Sequence, residues 1–117
     1  MAKKEMEFFN TDMVQTTRCA GPVEGLNEKI LSRDEETGAA TRLLIFDPGT
    51  DTSSLGAQKH DFWEEVYKLE GEFFDLTLKK RFTAGMYACR PPNMVHGPWK
   101  TENGCKTFEV RYFVKPR

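Results

Sequence analysis

Two short blocks of this chain carry residue types that could do chemistry together. Gln58, His60 and Glu64 run up to Gly71, and His96 follows Gly85 and Pro91. One carboxylate, two imidazoles and one amide, held on neighbouring turns of a β-rich chain, make a donor set for one first-row divalent metal. A single histidine near a turn is more often solvated or hydrogen-bonded than a ligand. Here the two are the only histidines in 117 residues, and they fall in the two blocks just named.

The segments that must position these groups read as strands. Short runs of period two, or apolar on both faces, are separated by Gly, Pro, Asp and Asn, and helix signals are nearly absent. The expected strands are Leu26 to Ser32, Thr41 to Asp47, Gln58 to Glu70, Glu72 to Leu78, Gly85 to Arg90 and Thr107 to Val114. Gly71 is expected to end the third and turn it into a hairpin with the fourth, whose exposed end is Lys79-Lys80-Arg81. In the last strand Phe108, Val110, Tyr112 and Val114 share one face, and Thr107, Glu109, Arg111 and Phe113 the other. This spacing predicts a double-sheet jelly roll or small barrel. Residues 1–25 form an N-terminal arm, partly extended, and 26–117 a single domain.

The balance of 17 basic and 18 acidic residues, net charge −1, creates no large field. It therefore argues against nucleic acid or anionic lipid as main partner. The N-terminus has no apolar run of signal-peptide or membrane-span type, so a cytoplasmic protein is expected. Cys19, Cys89 and Cys105 are odd in number and widely spaced, which predicts reduced, packed thiols rather than a disulfide framework. No nucleophile elbow, P-loop or dinucleotide fingerprint is present.

The first block resembles the first motif of the cupin superfamily: His-x-His, three or four residues, Glu, six residues, Gly. The second, Gly85 to His96, resembles the second motif: Gly, five residues, Pro-x-Gly, two residues, His. Gly85, Tyr87, Pro91, His96, Pro98, Gly104 and Cys105 together are similar to small RmlC-like cupins of the ChrR type, a group that includes the acetylacetone-cleaving dioxygenase. The resemblance implies an all-β double-stranded β-helix, the cupin jelly roll. Three positions depart from the pattern: Gln58 replaces a histidine, Asn93 replaces the glycine of Pro-x-Gly, and Lys100 stands where an Asn often follows. Asn93 is acceptable because Asn tolerates a left-handed turn.

The resemblance implies His60, Glu64 and His96 as metal ligands, with Gln58 either a fourth ligand or a hydrogen-bonding partner of metal-bound water. Spacing to Gly71 selects Glu64 over Glu65, which should lie on the outer face. Two histidines and one carboxylate suit non-haem Fe(II) and O₂ chemistry, while Zn, Mn and Ni accept the same set. Phe62, Tyr87, Trp99, Arg42 and Arg111 are candidate substrate contacts, although exposed ion pairs are the default use of the arginines and Arg90. The favoured function is a small-molecule metalloenzyme, such as a dioxygenase of a diketone, hydroxyketone or phenol. The alternative is a non-catalytic metal- or ligand-binding sensor of the ChrR type. With no second domain in view to receive a signal, the enzyme is preferred, and a homodimer is expected.

Overall fold

The computed structural model describes residues 2–114. Among them the strands are β1 (Thr17–Arg18), β2 (Leu26–Arg33), β3 (Ala40–Phe46), β4 (Trp63–Asp75), β5 (Lys80–Thr83), β6 (Tyr87–Arg90), β7 (Trp99–Lys100) and β8 (Cys105–Tyr112). All pairings are antiparallel, in the order β1-β2-β3-β8-β4-β5, with β6 and β7 also pairing with β4. Among the described residues, helical structure is confined to two three-residue 3-10 turns, Thr11–Met13 and Ser53–Leu55. The all-β jelly roll expected from the sequence is what forms.

Strand β4 organises it. Its first part, Trp63 to Gly71, pairs with β8, and Glu64 to Tyr67 pair with β6 on the other side. Its last residues pair with β5 and β7. A register shift between Lys68 and Glu70 marks the crossing, after which the buried side chains change parity from Glu64, Val66 and Lys68 to Phe73 and Asp75. A bulge of this kind lets one strand serve two sheets.

Gly71 therefore does not end a hairpin, as its type suggested. It has φ 75° inside β4, and a Cβ there would lie 2.1 Å from the Gly104 carbonyl oxygen. A strand glycine can mark a bulge with close backbone approach as well as a turn, and the sequence does not distinguish them. The hairpin instead turns after Asp75, whose Oδ1 accepts from the backbone N–H groups of Thr77 and Leu78. Lys80 and Arg81 consequently belong to β5. Upstream, β4 begins at Trp63 rather than Gln58, because Gln58 makes only an isolated bridge with His96.

The apolar core is small: Leu44, Phe46, Phe73 and Cys105, with Cys19, Leu26, Phe82 and Trp99 packed against it. Full burial of each large apolar side chain contributes about 1.5–3 kcal/mol. Beside this core, β8 turns its polar residues inward, with Thr107 and Glu109 buried and Phe108 and Val110 only half-buried. Cys89 is exposed on β6, contrary to the packed position expected for it, because it alternates with inward-facing Ala88 and Arg90.

Gly71→Ala should destabilise the protein by about 3 kcal/mol or more in urea unfolding, because positive φ and a backbone clash act together. Gly38→Ala, with φ 83° but open space around the new methyl, should cost only roughly 1–2 kcal/mol. Equal losses would contradict the bulge assignment.

Candidate metal centre

The two histidines reach one another through paired loops. Gln58 and His96 exchange backbone hydrogen bonds, N–H to carbonyl, of 2.8 and 2.9 Å, and the Asn93 N–H donates to the His60 carbonyl at 2.6 Å. Asn93 has φ 70°, the left-handed conformation expected of it. These contacts bring the imidazole centroids to 4.9 Å. The Phe62 ring stacks on His60 at 4.5 Å, and Trp99 lies 5.5 Å from His96.

Glu64 supplies the carboxylate from β4, where it is 3% exposed. Donor atoms of His60, Glu64 and His96 lie within 4.8 Å of one another. A common ion with bonds of about 2.0–2.2 Å is within reach of small side-chain rotations. His96 Nδ1 lies 3.1 Å from the Met94 carbonyl, so donation from Nδ1 leaves Nε2 free as ligand, as in many metal sites. The donor set thus fits a divalent cation. Gln58 lines the same cavity of about 180 Å³, and its side-chain N–H donates to the Leu55 carbonyl at 2.8 Å.

Arg42, Arg90 and Arg111 do not form exposed ion pairs. Arg90 Nη1 donates to Glu64 Oε1 at 3.0 Å and Arg111 Nε to Glu64 Oε2 at 3.1 Å. Arg42 bridges Glu28 at 2.8 Å and Glu109 at 2.7 Å. The side chains of these three are only 12–23% exposed. The inward face of a jelly roll can be polar when every charge has a partner, and residue type alone does not reveal this. Glu109, which lines the cavity, and Glu28, which pairs with Arg42 behind it, are the residues that single-residue reasoning passed over; the signal available was Glu109 and Arg111 sharing parity on β8.

Burial would raise the Glu64 carboxyl, but Arg111 and Arg90 beside it more than offset this and hold it below its usual value. Both imidazoles are pushed below theirs, His60 by burial and the nearby His96 and Arg111, His96 by burial and Arg90. Neutral imidazoles and an ionised carboxylate are the protonation states that bind metal.

Of the substrate contacts expected from sequence, Arg42, Arg111 and Trp99 line this cavity. Phe62 covers His60. Tyr87 does not line this cavity; it is 58% exposed and borders a second one, and its hydroxyl and that of Tyr112 donate to Glu65. Glu65 is thus outward, as alternation requires.

The profile of the ChrR Cupin-like domain family matches residues 6–114. The chain belongs to that family. It is similar in structure to an RmlC-like cupin from Shewanella frigidimarina, with TM-score 0.73, 22% identity, 98% of this chain covered and 96% of the other. The polyketide cyclase RemF from Streptomyces resistomycificus gives TM-score 0.74 at 18% identity, covering 97% and 83%. ChrR, solved in complex with SigE from Rhodobacter sphaeroides, gives 0.64 at 23%, covering 88% of this chain and 51% of that one. Comparison with curated proteins yields no match.

In the metal-free protein the depressed values of His60, His96 and Glu64 share one sign. Each group then contributes stability that is complete above its unfolded pKa, about 6.5 for the imidazoles. That contribution is lost as pH falls through the lower folded values. Urea midpoints should accordingly decline between pH 7 and pH 4. A midpoint that held level or rose over that interval would contradict the burial of these groups.

Proposed function

We propose, from membership of the ChrR cupin-like family and from the charge of its interior, that this chain is a metal-dependent enzyme of small oxygen-rich molecules. Its reaction is a dioxygenase-type cleavage of a diketone, hydroxyketone or phenol. The supporting observation is the meeting of His60, Glu64 and His96 inside a cavity walled by paired charges. The guanidinium groups of Arg42, Arg90 and Arg111 and the carboxylates of Glu28, Glu64 and Glu109 cancel one another in formal charge. With neutral imidazoles, a divalent cation would leave the site positive and draw an anionic ligand, such as an enolate or phenolate.

Fe(II) is the favoured ion, and when bound it supplies Lewis-acid polarisation of a substrate oxygen together with a place for O₂. The chain's own contributions are distinct. His60 and His96 bind as neutral donors, and Glu64 has four lone-pair sites, enough to keep both arginines and still offer one. Arg90 and Arg111 fix the Glu64 orientation, in the manner of outer partners that tune a metal ligand. Gln58 orients water or substrate from the cavity wall. Phe62 and Trp99 limit water around the imidazoles, which strengthens electrostatic interactions there.

The similarity to ChrR supports a second reading, a non-catalytic sensor with tightly held zinc. Either role is compatible with a homodimer, for which the extended N-terminal arm offers a fully exposed Phe8.

Protein purified without chelator should carry close to one divalent ion per chain, iron, and should consume O₂ with a panel of β-diketones or catechols. Zinc at full occupancy with no turnover would favour the sensor, and no metal at all would remove both readings. His96→Ala should lose the ion while remaining folded by circular dichroism, since sheet burial carries most of the stability.

A further inference from the structure

A second cavity, of about 300 Å³, shares His96 and Arg90 with the first, whereas His60 and Glu64 do not line it. Its walls are apolar and include Val66, Phe73, Phe82 and Ala88. Leu78, Met86, Met94 and Val95 also line it and are 44–61% exposed. An apolar concavity reached past exposed apolar side chains, with few polar groups inside, is the usual form of a small-molecule site.

One group in it is out of keeping with the rest. Lys68 is 3% exposed and lines the cavity. Its Nζ lies 3.4 Å from Cys105 Sγ and 3.4 Å from the centroid of the Phe73 ring. Neither is an anion, since burial pushes the Cys105 thiol up and keeps it protonated. Among the described residues no carboxylate comes within 4.0 Å of Nζ. Burial pushes its pKa down, while Glu109 and Glu72 attract it from further away; Glu109 is paired with Arg42, and Glu72 gives Oε2 to Arg81 while its Oε1 is buried with no hydrogen-bond partner. Asp75 lines the same cavity, yet its Oδ1 is taken by the Thr77 and Leu78 N–H groups and its Oδ2 by Trp99 Nε1 at 3.0 Å. An ammonium carries three donors, and a buried one without an anion is costly.

We propose that this cavity is a second ligand site, distinct from the metal centre, which takes an apolar monocarboxylate with its anionic end on Lys68. The tail lies among Phe82, Met86 and Val66. A cavity of about 300 Å³ stands at the small end of small-molecule sites, which suits a medium-chain fatty acid or an aryl-alkanoate. This reading does not depend on which reaction the metal centre performs.

Titration of the full chain with octanoate by calorimetry tests it, with 1-octanol as the tail without the anion and acetate as the anion without the tail. Octanoate should bind at least about tenfold more tightly than either, because both halves of the site are used. Lys68→Met should abolish that advantage and Lys68→Arg should keep most of it. His60→Ala should leave it unchanged. Octanol binding as well as octanoate would overturn the proposal, and this arm needs no variant to fold. So would octanoate failing to bind, full affinity in Lys68→Met, or loss of binding in His60→Ala, which would place the ligand at the metal centre.

Discussion

The interaction on which the rest of this structure depends is the double clasp on Glu64. A carboxylate 3% exposed would lose its charge or destabilise the fold if left alone. Arg90 from β6 and Arg111 from β8 each take one of its oxygens. Since β6 and β8 flank β4 on its two sides, the clasp spans three neighbouring strands and aims the carboxylate at the histidines. The sheet's register is thereby tied to the site's geometry. Removing either arginine leaves a buried charge half-compensated, which typically costs a few kcal/mol.

This arrangement explains why the chain manages with a small apolar core. Much of what faces inward is charged, and the charges come in compensating sets: Glu28, Arg42 and Glu109 in one, Arg90, Glu64 and Arg111 in the other. Buried ion pairs contribute little net stability against hydrocarbon of the same volume, but they specify position. Position is what a metal centre requires, because ligands held near their bound geometry avoid an ordering cost when the ion arrives. Among the described residues two groups depart from this pairing: buried Lys68, with no carboxylate within 4.0 Å of its Nζ, and Glu72, whose buried Oε1 has no hydrogen-bond partner.

Much of the fold and the core of the site could be read from the sequence. Donor type and the spacing of two cupin-like motifs grouped His60, Glu64 and His96, and the fold places their donor atoms within 4.8 Å of one another; Asn93 was legible as a left-handed position from its side chain. Strand boundaries were less so. Gly71 carries the same backbone freedom in a bulge as in a turn, so the long β4 was split in two at that residue. The arginines were misjudged as surface residues because burial of a charge depends on partners distant in sequence, such as Arg42 and Glu109. Alternation along β8 grouped Glu109 with Arg111, but which of the two faces turns inward is decided by the sheets around it, since a polar interior breaks the usual assignment of apolar residues to the inside.

The most direct test of the central claim is anomalous diffraction from crystals of the metal-loaded protein, recorded at the absorption edge of the bound ion. The account predicts one peak per chain, within about 2.0–2.3 Å of a nitrogen of His60, Nε2 of His96 and an oxygen of Glu64. A peak elsewhere, or those three side chains pointing apart around a cavity that holds no ion, would contradict it.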